Sequence, residues 1–439
     1  MQLEVEVVRF GRMRNNKAQF KFQPFSDKQV KLLSWWMDNS PHSDKDIVIA
    51  DGSIRAGKTV SMICGFIDWS IANFENQNFI IAGKSMGALT KNVLNPMKKI
   101  LNAKGLEFTH IRSTEEPRIE IGSNYYYLYG ANNVSSKDTL QGLTAAGSFA
   151  DQVELFPENF VNEMVARCSV EGSRHWFNSN PDSPYHFLKK EWIDKKEEKR
   201  IYHLHFTMAD NLTLSQKIID RYKRMYSGVY YDRYIRGLWV VAEGLVYPSF
   251  NDDNIIDKVP NNVDIVQEFI GVDYGAANPT AFGHIGVGDN GVMYLLNTYY
   301  HSGREGTDKA NSQYRKDLQN FITKHDINPK WIFIDPSAKS FRVELYQHRH
   351  EFPAFKRIAK ANNSVNEGIE KVSNLITLNK FVVLNHNEKA KEEFHSYRWD
   401  EKASNRGEDK PIKENDHIMD LIRYVVNSTP RIYKRMIHN

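Results

Sequence analysis

The sequence is short of several features that define other classes of protein. It contains only two cysteines, Cys64 and Cys168, and no CxxC pair. A disulfide framework and a structural zinc site are therefore not expected, and a reducing compartment is favoured. No run of about 18 consecutive apolar residues occurs, so neither a bilayer-spanning helix nor a membrane partner is expected. The amino terminus also lacks the basic-then-apolar order of a secretory signal.

A strong excess of one charge is also missing. The formal net charge is +4 over 439 residues. This value is lower than expected for a protein that coats DNA, but it suits a protein that binds nucleic acid transiently and also carries acidic metal sites. Apolar residues make up 41% of the chain and charged residues 26%, which is the mix of a globular protein. The length allows two domains, each with its own core.

Short apolar strands alternate with helices through the first half of the chain. Residues 46–51 and 77–83 are predicted to be strands, and residues 58–73 carry the periodicity of a helix. Another strand is predicted at 147–151, and a helix-rich stretch is predicted from 184 to 238. This alternation predicts an α/β fold with a mostly parallel sheet that is covered by helices on both faces.

The second half begins after a segment rich in Asn, Asp and Pro, residues 246–264, which is predicted to be a linker. Three strand-like segments follow closely and predict an antiparallel meander. A fourth strand is predicted at 331–335 and a closing helix at 416–427. The predicted domains are therefore residues 1–245 and 265–439.

The segment GSIRAGKT, which begins at Gly52, matches the phosphate-binding pattern GxxxxGK[ST] between a predicted strand and a predicted helix. Gly52 and Gly57 allow backbone N–H groups to surround phosphates, and the helix amino terminus adds partial positive charge. Lys58 is predicted to reach the β- and γ-phosphates and Thr59 to hold magnesium. Arg55 could approach a phosphate, although a surface position explains it equally well. The pattern predicts ATP as the ligand.

A P-loop enzyme needs a second carboxylate at the end of a neighbouring strand, with a base or water-positioning group beside it. Asp151 ends the segment GSFAD and is predicted to complete the magnesium site. Gln152 follows it directly and could orient water, but Glu154 is favoured as the catalytic carboxylate. Asn180 is a candidate sensor of the γ-phosphate and Gln29 a candidate reader of adenine, with turn or surface roles as the alternatives.

Acidic residues also end strands in the second half. Asp273 and Asp335 each follow an apolar run, and the last helix opens with Asp416, His417 and Asp420. His417 and Asp420 are three residues apart and share one helical face, whereas Asp416 could instead cap the helix. Two strand-end carboxylates and a carboxylate or histidine from a late helix can gather two divalent ions for phosphodiester cleavage. This order matches the plan of a ribonuclease H-like nuclease.

These motifs together resemble those of the large terminase subunits of tailed bacteriophages, particularly the PBSX-like group. The resemblance covers nearly the whole chain and rests on GSIRAGKT, ADQVELFP, NSNP, RYIRGLWVVAEGLVYPSF, GVDYG, FIDPS and DHIMDLIRY. It implies an ATPase domain followed by a ribonuclease H-like nuclease domain. It also implies that Asp273, Asp335 and Asp420 are metal ligands, with His417 as an additional one. Gln152 stands where the family usually has glutamate.

The resemblance implies a motor that hydrolyses ATP, moves double-stranded DNA into a procapsid and cuts concatemeric DNA. The expected cofactors are ATP with Mg²⁺ at the P-loop and two Mg²⁺ or Mn²⁺ ions at the nuclease site. The expected partners are DNA, a small terminase subunit and the portal protein, with a homo-oligomeric ring as the assembled form and a monomer as the alternative in solution. The expected location is the cytoplasm of an infected bacterium, with transient docking on the procapsid.

Two other functions are compatible with the same motifs. A DNA-repair helicase-nuclease is also driven by ATP, but it normally carries a second helicase core, for which 439 residues leave little room. A nucleotide-switched scaffold without ATP turnover is the other alternative, and the glutamine at position 152 is the feature that favours it. Strand displacement and ATP turnover, respectively, distinguish these alternatives from a terminase.

Overall fold

The structure is a computed structural model that describes residues 4–7, 22–132, 134–275, 279–302 and 309–438. The chain divides by its internal contacts into two units. The first comprises residues 1–219 and 232–241, and the second comprises residues 220–231 and 242–439. Across the described ranges, the helices are too short or too polar to traverse a lipid bilayer.

The first unit contains a sheet of nine strands within the described residues. Their order across the sheet is β1-β4-β5-β6-β3-β7-β8-β2-β9. Six neighbouring strands, in the order β6, β3, β7, β8, β2 and β9, run parallel. At the other end of the sheet, the neighbours β1, β4, β5 and β6 pair antiparallel. The nine strands are β1 (Glu4–Val7), β2 (Ile47–Gly52), β3 (Asn78–Gly83), β4 (Phe108–Arg112), β5 (Arg118–Ile121), β6 (Asn124–Gly130), β7 (Gly147–Asp151), β8 (Arg174–Asn178) and β9 (Ile201–Phe206).

The central strands are buried on both faces, which explains why they read as continuous apolar runs. Along β2, Val48 and Ala50 belong to one hydrophobic cluster, and Ile47 and Ile49 belong to another. Since successive side chains of a strand point to opposite faces, the two clusters lie on opposite faces of the sheet. Helices cover parallel sheets in this way, and the predicted mostly parallel sheet with two covered faces is confirmed.

The helices of the first unit follow the predicted alternation. The predicted helix at 58–73 is observed as α2, which starts directly at the end of the glycine-containing loop. The first five helices are α1 (Asp27–Ser34), α2 (Lys58–Asn73), α3 (Met86–Leu89), α4 (Asn95–Lys104) and α5 (Glu158–Ala166). Helix α6 (Gln216–Met225) begins in the first unit and ends in the second, and α7 (Gly228–Tyr230) belongs to the second unit. The prediction of a helix-rich stretch from 184 to 238 was wrong in part, because β9 lies within it and pairs with β2.

The second unit contains a sheet of seven strands within the described residues. Their order is β10-β16-β13-β12-β11-β14-β15. Strands β11, β12 and β13 form the predicted antiparallel meander, and β14 lies parallel to β11. The strands are β10 (Ile255–Ile256), β11 (Ile265–Asp273), β12 (Thr280–Gly288), β13 (Met293–His301), β14 (Trp331–Ile334), β15 (Ile358–Lys360) and β16 (Phe381–Leu384). Strand β10 lies within the predicted linker and pairs with β16.

The predicted closing helix is observed as α13, one residue later than predicted, and a further helix follows it. The remaining helices are α8 (Asn311–Lys324), α9 (Lys339–Gln347), α10 (Val365–Thr377), α11 (Glu388–Ser396), α12 (Glu401–Ser404), α13 (His417–Ser428) and α14 (Pro430–His438). Helix α13 approaches the sheet closely at Gly271 of β11. A Cβ atom there would lie 2.5 Å from the carbonyl oxygen of Leu421. Glycine at this position therefore sets the distance between α13 and the strand that ends in Asp273.

Candidate active sites

The glycine-containing loop joins the end of β2 to the start of α2, as the sequence predicts for a phosphate-binding loop. Its backbone needs glycine at two positions, since φ is 119° at Gly52 and 84° at Gly57. A Cβ atom on Gly52 would also lie 1.9 Å from the carbonyl oxygen of Phe206. Arg55 is exposed and has a φ of 58°. The loop thus presents backbone N–H groups at the amino terminus of a 16-residue helix.

Lys58 is buried and folded back onto its own loop. Its Nζ atom donates hydrogen bonds to the carbonyl oxygens of Gly52 at 2.9 Å and Ser53 at 2.7 Å, and to Oδ1 of Asn180 at 3.2 Å. Burial lowers the pKa of Lys58 to about 8, against the opposing attraction of nearby carboxylates. The lysine ammonium is therefore held at the loop by neutral oxygens, which phosphate oxygens could replace.

Thr59 and Asp151 lie next to each other although 92 residues separate them in sequence. The Thr59 hydroxyl donates to Oδ1 of Asp151 at 3.3 Å. Asn178, at the end of β8, donates its amide to the same carboxylate oxygen at 2.5 Å and to the Thr59 hydroxyl oxygen at 2.9 Å. Burial raises the pKa of Asp151. A threonine hydroxyl beside an aspartate is the oxygen donor set that magnesium takes in P-loop sites.

Glu154 contacts the same asparagine as Lys58, namely Asn180. The Asn180 amide donates to Oε1 of Glu154 at 3.3 Å, so this asparagine joins both ionisable groups. Burial raises the pKa of Glu154 to about 8. Gln152 has a left-handed backbone, with φ 62° and ψ 54°, and it turns the chain so that Glu154 points into the protein. The structure therefore brings Glu154, Asn180 and Lys58 into one network.

Three buried polar atoms in this site have no hydrogen-bond partner among the described residues. They are the hydroxyl oxygen of Ser53, which lies in the loop, and two acceptors, Oε2 of Glu154 and Oδ1 of Asn178. Buried acceptors are usually satisfied, so two orphaned acceptors beside the loop indicate a site that a ligand completes. Together with Thr59 and Asp151, they fit a magnesium–phosphate group.

Gln29 lies against the loop. Its Nε2 atom is 2.3 Å from the position that a Cβ atom on Gly57 would take. Its Oε1 atom accepts a hydrogen bond from the backbone N–H of Ser26 at 2.9 Å, which completes the cap of α1. Gln29 thus has a structural role, and its amide nitrogen faces the loop. The carbonyl oxygen of Arg55 accepts from Asn211 at 2.7 Å, which also anchors the loop.

Asp51 is a buried residue of this region that the sequence analysis did not select. Its carboxylate accepts hydrogen bonds from His203 at 2.9 Å, His205 at 3.0 Å and the indole N–H of Trp239 at 2.6 Å. The same residues line a cavity of about 380 Å³. Alternation along β9 places both histidines on one face, but no spacing in the sequence relates them to Trp239.

The second candidate site lies in the second unit, where two neighbouring parallel strands end side by side. Strand β11 ends at Asp273, and β14 ends just before Asp335. Their register pairs Val272 with Ile334, and the backbone N–H of Asp335 lies 3.4 Å from the carbonyl oxygen of Val272. The two aspartates therefore occupy the same edge of the sheet, as the sequence predicts.

Helix α13 turns three polar side chains toward these strand ends. His417, Asp420 and Tyr424 are spaced i, i+3 and i+7 and so share one face. Nδ1 of His417 lies 2.8 Å from Oδ2 of Asp273. The Tyr424 hydroxyl donates to Oδ2 of Asp335 at 2.6 Å, and it lies 3.3 Å from Asp273 and 3.5 Å from Asp420. The structure thus brings together all four predicted nuclease residues.

The carboxylates of this site differ in burial and in their electrostatics, since Asp420 is buried whereas Asp273 and Asp335 are half-buried. Burial raises the pKa of Asp273, against the hydrogen bond from His417. Burial would also raise the pKa of Asp335, but hydrogen bonds from Tyr424 and Ser337 outweigh it and lower the value. Burial would lower the pKa of His417, but the contact with Asp273 outweighs it and raises the value.

Basic side chains balance part of this negative charge. Arg423, which is 2% exposed, donates to Oδ1 of Asp420 at 2.6 Å. Lys413 lies 3.1 Å from Oδ2 of Asp420 and 3.0 Å from Oδ2 of Asp416. Neither cation was predicted from the sequence. The i, i+3 spacing of Asp420 and Arg423 on one helix was the available signal for the first.

Asp416 is the N-cap residue of α13, a position that the sequence allowed, but its side chain accepts no hydrogen bond from the helix amino terminus. Glu393 of α11 does so instead, with its Oε2 atom accepting from the N–H groups of Ile418 at 2.7 Å and Met419 at 3.2 Å. Glu393 is fully buried, and burial raises its pKa to about 8. It therefore orients the helix that carries His417.

The donor set of the second site suits hard divalent cations, since it consists of three carboxylates and one imidazole. With the side chains in their present conformations, no group of three His, Cys, Asp or Glu residues in the described ranges has the arrangement needed to hold a metal ion. The oxygens of the three aspartates nevertheless all lie within 3.5 Å of the Tyr424 hydroxyl. The chemistry of these donors therefore fits divalent ions, with one oxygen of each aspartate already close to a common point.

Comparisons with known proteins agree with both sites. Residues 49–251 match the family model "Terminase large subunit, T4likevirus-type, N-terminal", and residues 273–428 match "Terminase RNAseH like domain". No curated protein sequence matches the chain.

Among solved structures, the large terminase of the thermophilic bacteriophage D6E superposes with a TM-score of 0.85 at 45% identity, over 92% of this chain and 99% of that chain. Two complexes of the D6E protein have the same coverage at 44% identity, one with ADP at a TM-score of 0.84 and one with ATP-gamma-S at 0.83. The chain therefore belongs to the family of phage large terminases, the enzymes that combine an ATPase with a ribonuclease H-like nuclease in a DNA-packaging motor.

Proposed function

We propose that this chain drives double-stranded DNA into a procapsid with energy from ATP and cuts concatemeric DNA with a two-metal nuclease. In this proposal residues 1–245 are the ATPase domain, 246–264 the linker and 265–439 the nuclease domain. The observation that carries it is the presence of two complete polar centres in one chain. One joins Lys58, Asn180 and Glu154, and the other gathers three aspartates around Tyr424.

ATP is the proposed nucleotide, and the D6E relative in complexes with ADP and ATP-gamma-S supports this choice. The loop N–H groups from Gly52 to Gly57 would bind the phosphates, and Arg55 would add positive charge nearby. Lys58 would exchange its bonds to loop carbonyls for bonds to the β- and γ-phosphates. Thr59 and Asp151 would hold Mg²⁺, which neutralises phosphate charge when bound.

Glu154 is our proposed catalytic carboxylate. With a pKa of about 8, a fraction of Glu154 is ionised near neutral pH and can accept a proton, and its Oε1 atom already accepts a hydrogen bond from Asn180 at 3.3 Å. Asn180 would act as the sensor of the γ-phosphate, because its side chain contacts both Lys58 and Glu154. Gln152 contributes the left-handed turn that directs Glu154 inward. Gln29 would contact adenine through the amide nitrogen that faces the loop.

In the nuclease domain, Asp273, Asp335 and Asp420 would hold two Mg²⁺ or Mn²⁺ ions, with His417 as an additional ligand. Bound ions of this kind activate water and stabilise the leaving oxygen in phosphodiester cleavage. Asp273 ends β11 and Asp335 directly follows β14, so the paired strands place both backbones at one edge of the sheet. Arg423 and Glu393 hold α13, and through it Asp420 and His417, in place.

The proposed partners are double-stranded DNA, a small terminase subunit and the portal protein, with several copies of the chain in a ring during packaging. The proposed setting is the cytoplasm of the infected bacterium, with transient docking on the procapsid. A motor of this kind grips DNA through its phosphates. Its binding should therefore decrease steeply with salt concentration and depend little on base sequence.

ATP turnover by matched variants tests the ATPase assignment. We expect Glu154→Gln to lower the turnover number by about 100-fold or more, because a general base is lost, while nucleotide still binds. Gln152→Ala should retain turnover within about tenfold, because it removes no proton acceptor. The assignment is wrong if Gln152→Ala loses turnover and Glu154→Gln retains it, since glutamine would then be the residue that positions water.

A further inference from the structure

Tyr424 has a relationship to the nuclease carboxylates that no other described residue shares. Its hydroxyl oxygen lies 2.6 Å from Asp335, 3.3 Å from Asp273 and 3.5 Å from Asp420. The three aspartates come from β11, from the end of β14 and from α13. One phenolic oxygen is therefore a common neighbour of all three structural elements that form the site.

The other donors at this site each serve fewer carboxylates. His417 contacts Asp273, and Arg423 contacts Asp420. Lys413 reaches Asp420 and Asp416 but neither strand-end aspartate. Three like charges that converge in a buried site repel one another, and this repulsion must be offset for the site to persist without metal. A donor at their centre is the group best placed to reduce it.

The Tyr424 hydroxyl remains a donor under ordinary conditions. A phenol loses its proton only at about pH 10 in water, and Tyr424 is 2% exposed. A phenol has one proton, so it donates fully to one acceptor at a time. Asp335 receives that proton at the shortest distance, and this bond adds to the one that Oδ1 of Asp335 accepts from the backbone N–H of Ser337 at 2.6 Å.

Two other tyrosines of the same unit show that a buried phenol here need not bind carboxylates. The hydroxyls of Tyr247 and Tyr397 are buried and make no hydrogen bond within the described ranges. Tyr397 is 1% exposed, so it matches Tyr424 in burial. The contacts of Tyr424 are thus a property of its position on α13 and not of burial alone.

We propose that Tyr424 is a positioning residue of the nuclease, whose hydroxyl keeps Asp273, Asp335 and Asp420 converged so that divalent ions meet a formed site. The inference rests on the proposed nuclease site. It assigns Tyr424 no contact with DNA and no step in bond cleavage. Removal of the hydroxyl should weaken metal binding, because part of the binding free energy of each ion is then used to bring the carboxylates together.

Calorimetric titration of the full-length, DNA-free protein with Mn²⁺ tests this inference. The nuclease component is the binding signal that disappears in Asp273→Asn. We expect Tyr424→Phe to weaken that component by about 10- to 100-fold, the range typical of residues that orient metal ligands. Tyr397→Phe, the control of equal burial and equal chemical change, should bind Mn²⁺ as the parent does.

Thermal unfolding of the same variants separates positioning from packing. Both phenylalanine variants are expected to fold, and a lower melting temperature in each without a change in Mn²⁺ affinity would overturn the proposal. Unchanged or tighter Mn²⁺ binding by Tyr424→Phe would also overturn it, since the hydroxyl would then be irrelevant to the ions or compete with them. If Asp273→Asn leaves the whole Mn²⁺ signal intact, the proposed nuclease site itself is wrong.

Discussion

Trp239 donates its indole N–H to the carboxylate of Asp51, with a nitrogen–oxygen distance of 2.6 Å. Asp51 directly precedes the first glycine of the phosphate-binding loop, and its side chain is 1% exposed. Burial would raise the pKa of Asp51, but hydrogen bonds from His203 and His205 outweigh it and hold the value far below its usual range. A charged carboxylate with three donors therefore fixes the strand end from which the loop starts.

Removal of the indole donor should destabilise the first unit. Trp239→Phe keeps an aromatic ring but leaves a buried carboxylate with one donor fewer, which should cost about 1–3 kcal/mol. The measurement is the urea concentration at the midpoint of unfolding of the first unit, with unfolding monitored by circular dichroism. Trp36→Phe is the control, since its indole donates to the neutral carbonyl oxygen of Leu33 at 2.8 Å. An equal or larger loss in the control would contradict the role of the charged acceptor.

The raised pKa of Glu154 predicts a particular dependence of stability on pH. The folded protein keeps this proton up to about pH 8, whereas the unfolded chain releases it near the ordinary value of 4.5. Since the folded state binds more protons between these values, the contribution of Glu154 to stability decreases as the pH rises through this window. A glutamine at this position does not titrate.

The melting temperatures of Glu154→Gln and of the parent would be measured without nucleotide. The difference between them, variant minus parent, should increase as the pH rises from about 5 to about 8. The corresponding free energy is on the order of a few kcal/mol. Glu115→Gln, at an exposed position of the same unit, is the control and should show a nearly constant difference. A constant difference for Glu154→Gln as well would mean that Glu154 is ionised throughout.

Gly271 should be required for cleavage because it sets the position of α13. A methyl group there would lie 2.5 Å from the Leu421 carbonyl oxygen, so the helix that carries Asp420 must shift. We expect Gly271→Ala to cost about 1–3 kcal/mol of stability and to reduce cleavage of plasmid DNA, while ATP turnover persists. Gly87→Ala is the control, since its nearest neighbour lies at 4.0 Å. Unimpaired cleavage by Gly271→Ala would show that α13 tolerates the shift.

Much of both sites could be predicted from the sequence because the relevant geometry is local or follows from sheet topology. The phosphate-binding loop is a contiguous motif whose glycines have fixed conformational requirements. Asp273 and Asp335 end strands, and neighbouring parallel strands end at one edge of a sheet. His417 and Asp420 share a helical face by their spacing. The sequence therefore indicated which residues would meet, even across more than 140 positions.

Other contacts depend on tertiary packing and left no local signal. Glu393 caps α13 from another helix, where the sequence offered Asp416 as the nearest candidate. The strand β9 was missed because its flanks are rich in helix-forming residues, although its own segment alternates in burial. Tyr424 lies on the predicted face of α13, but only the rotation of the helix against the sheet directs its hydroxyl to three carboxylates.

The claim that this chain carries two separate active sites is tested most directly by two activities of the same preparations. Parent, Asp335→Asn and Lys58→Ala proteins would be assayed for Mn²⁺-dependent linearisation of supercoiled plasmid and for ATP turnover. We expect Asp335→Asn to lose cleavage by about 100-fold or more and keep turnover, and Lys58→Ala to lose turnover and keep cleavage. Cleavage by Asp335→Asn at the parental rate would contradict the account.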